Sequence, residues 1–140
     1  NYKIIHYFNN RKINKIIIPV LKNWKKVWYQ RGVNIYDDAE ELLTNKRKIS
    51  KIGGKIRNIN LIKYQFMGLM YIPKKILPYI LNKFDNKKLF KMDTTKLINF
   101  LIKEGIEIKY KVYNDQWFEF DLLNDVENFQ RYYDIYKFKN

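Results

Sequence analysis

Cysteine is absent from this 140-residue chain, and histidine occurs once, at His6. The first gap excludes disulfides, thiolate metal sites and Cys nucleophiles. The second excludes a multi-histidine metal centre, and a single imidazole in a polar amino-terminal stretch argues against a Ser-His-Asp triad. Glycine is scarce as well: Gly32, Gly53, Gly54, Gly68 and Gly105 nowhere cluster into a loop that could cradle phosphates. No apolar run reaches the length of a membrane span. The longest, Ile16-Ile17-Ile18-Pro19-Val20-Leu21, reads as a buried strand. The opening residues lack the apolar core and small-residue cleavage site of a signal peptide. What is present argues against disorder: 46% of residues are hydrophobic and 17% aromatic. The expectation is one soluble, cytoplasmic domain over residues 1–140, large enough for a core but with little room for a second.

Acidic residues are outnumbered two to one, 14 against 28 Lys and Arg, for a formal charge of +14. Such an excess can be the footprint of an RNA or DNA partner. It can also come from AT-rich coding, which enriches Lys, Asn, Ile and Tyr at the expense of Ala, Arg and Gly. The lysines are scattered without a long basic block, which favours the second origin. No zinc-finger spacing, RNP-type aromatic motif or basic heptad supports a standard nucleic-acid module.

Along the chain the pattern alternates between strand and helix. Residues 2–9 suit a short helix. Ile16 to Val20 is a strand that Pro19 should end or place near an edge. Trp24 to Arg31 reads as a helical turn or irregular segment. Ala39–Leu43 and Ile49–Ile52 make a hairpin around Asn45-Lys46-Arg47, which Gly53-Gly54 should break. Gln65–Ile72 reads as a strand interrupted at Gly68, and a helix distorted by Pro78 follows from Lys74 to about Phe84. Asp93 caps a helix over Thr94–Glu104 with Leu97, Ile98, Leu101 and Ile102 inside and Gly105 as its stop. Ile106, Ile108, Tyr110 and Val112 alternate as a half-buried strand, and an Asn114-Asp115 turn follows. The fold class is therefore α/β, a mixed sheet with flanking helices.

The most informative stretch is Trp117-Phe118-Glu119-Phe120-Asp121. Alternation places Trp117, Glu119 and Asp121 on one face of a strand and Phe118 and Phe120 on the other. A helix then begins, with Asn124 as its cap, Glu127 completing a capping box, and Val126, Phe129 and Tyr133 as its stripe. A carboxylate at that strand-to-helix junction is well placed to hold a divalent cation against a phosphate. The same Asp121 could instead simply complement the helix dipole.

Four blocks, in this order and spacing, resemble the carboxyl-terminal half of a small nucleotidyltransferase. The subgroup is that of choline-phosphate and phosphonate-linked cytidylyltransferases, GT-A-like, Rossmann-type enzymes of the sugar-nucleotidyltransferase-like superfamily. The blocks are Trp24-Lys25-Lys26-Val27-Trp28-Tyr29-Gln30-Arg31 with Asp38-Ala39-Glu40; Ile49-Ser50-Lys51-Ile52-Gly53-Gly54-Lys55; Tyr64-Gln65-Phe66-Met67-Gly68-Leu69-Met70; and Met92-Asp93-Thr94-Thr95 with Trp117–Asp121. They run over about residues 17 to 130. The resemblance implies a partial fold, because the family's Gly-rich triphosphate loop and its other metal-binding Asp have no counterpart here.

By that resemblance Asp121 matches a catalytic metal-binding carboxylate, holding Mg²⁺ or another divalent cation. Glu119, on the same face, would order metal-bound water or contact substrate, or else pair with a surface lysine. Glu40, Lys55, Gln65, Gly68 and Asp93 match the acceptor side, with Asp93 a helix cap as well. Trp28 and Trp117, with Trp24, Tyr64 and Tyr113, could form a cation–π cage for a quaternary ammonium, or ordinary core. The implied activity moves a cytidylyl group from CTP to a phosphorylated small acceptor such as phosphocholine or a phosphonate, releasing pyrophosphate. It would require a complementary amino-terminal half or an oligomer, so this chain alone is expected to be inactive. The competing reading is a non-catalytic remnant serving as a basic scaffold in an RNA or protein assembly.

Overall fold

The computed structural model describes residues 2–9, 13–84, 91–114 and 117–137. Helix α1 (Tyr2–Asn9) leads into β1 (Ile16–Leu21), whose six residues are all buried. After it come α2 (Trp24–Arg31), α3 (Ile35–Asp38), the hairpin β2 (Glu40–Asn45) and β3 (Lys48–Lys55), and a 3-10 turn at Ile59–Leu61. The remainder is β4 (Gln65–Phe66), α4 (Leu77–Lys83), α5 (Thr94–Lys103), β5 (Ile108–Tyr113) and α6 (Leu123–Lys137). The five strands form one mixed sheet in the order β2-β3-β5-β1-β4. Only β1 and β5 are parallel, in register from Ile16 with Ile108 to Leu21 with Tyr113.

Several local rules act differently in three dimensions. Strand β1 runs straight through Pro19. Ile17 exchanges both backbone hydrogen bonds with Tyr71, so the nitrogen of Pro19, two residues on, faces the same side. Pairing on that side jumps from Tyr71 to Phe66 and Gln65, so the missing donor falls where no partner needs it. The Gly53-Gly54 pair does not break β3 either. Glu40 pairs with Lys55 while Leu42 pairs with Ile52, so the glycines, at φ 87° and 84°, form a bulge inside the strand. Pro78 sits in the first turn of α4, where its lost N–H is harmless, and distorts nothing. The expected strand over Gln65–Ile72 is reduced to two residues plus the Tyr71 bridge.

Trp24 to Arg31, expected as a helical turn or irregular segment, is instead a regular helix, ended by Gly32 at φ 70°. Other expectations hold. Asp93 caps α5, its carboxylate accepting the Lys96 N–H at 2.7 Å, and Ile98 and Leu101 are fully buried. The Asn114-Asp115 turn falls partly outside the described residues, as does the side chain of Tyr133.

Two hydrophobic clusters flank the sheet. One joins Ile16, Ile18, Val20, Leu42, Ile52, Ile98, Leu101 and Ile108 beneath α4 and α5. The other joins Leu21, Trp24, Val27, Trp28, Ile56 and Met67, with Trp117 and Phe118 packed against it. The hairpin spans from one end of the parallel pair to the other. Near its turn Lys48 pairs with Lys109 and its ammonium meets Glu107, at the amino end of β5. At its open end the carbonyl of Glu40 accepts from Gln65, which is paired with Leu21, the last residue of β1.

Candidate active site

The carboxyl end of the parallel pair gathers the sequence-predicted residues in two adjoining groups. The first surrounds the open end of the hairpin. Glu40 lies opposite Lys55 in the ladder, and Gln65 donates to its carbonyl. Burial pushes the Glu40 carboxyl up, and the nearby charge of Asp93 adds to it. Asp93 itself is held down at about 2 by hydrogen bonds from the Lys96 side chain and backbone. Gly68 sits just past β4 at φ 71°, with open space where a side chain would begin. That conformation suits glycine, and the opening leaves room for a ligand beside the backbone.

The second group is organised by Arg31, whose side chain is fully buried. Its Nε donates to Asp125 Oδ1 at 2.9 Å and its Nη2 to Asp125 Oδ2 at 3.1 Å, a two-pronged pair. Nη1 reaches Asp38 at 2.8 Å, Nη2 reaches Asp121 at 3.0 Å, and Glu119 lies 3.6 Å from Nη1. The guanidinium also stacks over Trp28 at 5.3 Å. Asn128 on α6 donates to the Arg31 carbonyl at 2.7 Å, tying the end of α2 to α6. Burial works against the Arg31 charge, but its hydrogen bonds to Asp125 and the charges of Asp38, Asp125 and Glu119 raise its pKa overall. Two of these residues, Asp38 and Glu40, are separated only by Ala39, so the two groups are at most about 7 Å apart along the backbone.

Asp125 was not among the expected site residues, and it does the capping assigned to Glu127. As the third residue of α6 it accepts the N–H groups of Asp121 and Leu122, each at 2.9 Å. Burial alone would raise its carboxyl, but Arg31 and these backbone bonds hold it below the usual range. In the sequence Arg31 is only the last residue of the Trp24–Arg31 block. Its one sequence signal is being arginine where this composition prefers lysine.

Trp117–Asp121 is not a strand of the sheet. Its alternation survives in an extended segment: Glu119 and Asp121 turn to Arg31, while Phe118 and Phe120 pack on Phe129 of α6. Burial raises the Glu119 carboxyl, against the Trp117 indole and Arg31, with Asp121 and Asp38 adding to the rise. Of the aromatic residues considered for a cation–π cage, Trp24, Trp28, Tyr113 and Trp117 share one core cluster, with Trp24 and Trp28 1% and 3% exposed and edge to face, while Tyr64 lies tilted against Tyr110 in the other.

Four carboxylates against one guanidinium leave a formal local charge of −3 (1 − 4) in a chain of +14. Asp121 is the exposed member, its side chain 63% accessible, with Oδ2 on Arg31 and Oδ1 taking no hydrogen bond among the described residues. Among those residues no three His, Cys, Asp or Glu side chains converge as a metal cage. The donor set fits a hard divalent cation that takes one carboxylate oxygen from the protein and the rest from phosphate and water.

No family model matches the chain. It is 28% identical to the CTP:phosphoglutamine cytidylyltransferase of Campylobacter jejuni subsp. jejuni serotype O:2, over 91% of this chain and 56% of that protein. Among solved structures it resembles the inositol-1-phosphate CTP transferase from T. maritima, with a TM-score of 0.58 and 19% identity over 82% of this chain and 42% of that one. It also resembles a protein named as a glucose-1-phosphate thymidylyltransferase from Bacillus anthracis, solved with sucrose, at a TM-score of 0.56 and 17% identity over 92% of this chain and 46% of that one. The chain thus spans about half the length of the relatives it matches. In sequence the chain is similar to a cytidylyltransferase, and its mixed α/β sheet resembles the fold of solved nucleotidyltransferases.

Proposed function

We propose that the chain is the acceptor- and metal-binding part of a nucleotidyltransferase that moves a cytidylyl group from CTP to a phosphorylated small molecule, releasing pyrophosphate. The observation that carries this reading is the Arg31 array. A buried guanidinium fixes Asp121 at the rim of a strongly negative patch, with one carboxylate oxygen left open. A divalent cation bound there would neutralise charge on the transferring phosphoryl group. Arg31 and Asp125 position that carboxylate, Glu119 supports water or substrate beside it, and Glu40, Lys55, Gln65 and Asp93 face the acceptor. The nucleotide-gripping loop would come from elsewhere, in a longer chain, a separate half or an oligomer. Similarity to a cytidylyltransferase supports CTP as the donor.

The test supplies the missing function in trans. The chain is mixed with the part of the Campylobacter enzyme outside the aligned region, CTP, Mg²⁺ and phosphocholine or phosphoglutamine, and pyrophosphate is measured. Release that needs both polypeptides and disappears with Asp121→Asn is the expected result. Release that survives Asp121→Asn removes the role given to that carboxylate. The absence of release from the paired halves counts against transfer.

A further inference from the structure

A cavity of about 480 Å³ opens between the β1–α2 junction and the segment leading into β4. Its lining is Lys22, Asn23, Trp24, Lys25 and Lys26 on one side and Ile62, Lys63 and Tyr64 on the other. Four lysines and no carboxylate face it, although Lys15, Lys48, Lys51, Lys83, Lys96 and Lys109 all pair with acids elsewhere. Lys22, Lys25, Lys26 and Lys63 make no ion pair among the described residues; Lys25 alone leans on an aromatic ring, that of Trp24 at 5.7 Å. Four ammonium groups around one opening with no acid among them make a basic field that attracts an anion.

Two further features suit that anion. The cavity sits over the start of α2, where the helix dipole favours negative charge. The volume is that of a small-molecule site. The cavity also adjoins the acceptor group, since Tyr64 precedes Gln65, which bonds Glu40.

From these observations we infer that the Lys22–Lys26 and Lys63 pocket binds the phosphate of a small phosphorylated molecule. Its occupant as the acceptor of cytidylyl transfer rests on the proposed function; the binding itself does not. Lys22, Lys26 and Lys63 supply the charge, and the positive end of the α2 dipole lies beside them. All four lysines are exposed, so their replacement leaves the core intact.

The experiment is an amide-shift titration of the intact chain with phosphocholine and with inorganic phosphate, in the absence of metal and CTP. The wild type is compared with Lys22→Gln/Lys26→Gln/Lys63→Gln and with Lys74→Gln/Lys75→Gln/Lys103→Gln, a control of equal charge change on other exposed lysines. Saturable shifts at residues 22–26 and 62–64, weakened at least tenfold by the first triple and under twofold by the control, are expected. Equal weakening by both triples, shifts elsewhere, or saturation by single-stranded RNA but not by phosphate compounds overturns the pocket. Binding of this kind without pyrophosphate release in the two-part assay keeps the pocket and removes only its place in transfer. Release that is unchanged by the pocket triple keeps transfer and removes the pocket's place in it.

Discussion

Arg31 and Asp121 share one hydrogen bond but sit in opposite environments, and this separates stability from function residue by residue. Arg31→Met strands the buried Asp125 carboxylate, so a loss of about 3–5 kcal/mol is expected in urea or thermal unfolding. Asp121→Asn removes an exposed partner and should change stability by less than about 1 kcal/mol while abolishing transfer. Acid titration distinguishes two other carboxyls of the array. Asp125 is held below its ordinary 3.8, so its contribution is complete above that value and is lost as pH falls through its folded pKa. Glu119 is raised above 4.5, so in the window from 4.5 up to its folded pKa the native state holds more protons than the unfolded one. Stability contributed by Glu119 therefore falls as pH rises through that window, and Glu119→Gln should flatten the decline in a pH series of unfolding curves. Composition could not rank these residues. Glu119 and Asp121 were legible because alternation put them on one side, whereas Arg31 and Asp125 act through burial and pairing across 94 positions of sequence.

At the scale of elements, the reading succeeded where one short-range rule governed. Asp93 before an apolar stripe gave α5, and the spacing of Ile106 to Val112 gave β5. Asp93→Ala should cost about 1 kcal/mol, read from the unfolding midpoint. The reading failed where a neighbour decides. Trp117–Asp121 alternates like a strand because Arg31 lies on one side and Phe129 on the other, without any ladder. Gly53-Gly54 resembles a break because only its partner strand shows a bulge. Both glycines occupy positive φ, so alanine at either should cost on the order of 1–2 kcal/mol. Gly53→Ala should be the worse, because its Cβ would also meet Thr95 Oγ1 at 3.2 Å, while Gly54 faces open space. A larger loss for Gly54→Ala would contradict the bulge as described.

For the molecule as a whole, the charge of +14 hides two opposed fields. Four carboxylates make the surroundings of Arg31 negative, and the lysines beside Asn23 make a basic cavity close to the same sheet end. The lysines look scattered in sequence, and folding gathers Lys63 to Lys22, Lys25 and Lys26. The proposed transfer would use that separation, a cation on the negative side and a phosphorylated acceptor on the basic side. The most direct test of the cation side is a Mn²⁺ titration of the intact chain, followed by paramagnetic broadening of its amide signals. Broadening centred on Glu119 to Leu122, and lost in Asp121→Asn, is the predicted result. Broadening centred elsewhere, or unaffected by Asp121→Asn, would contradict the account.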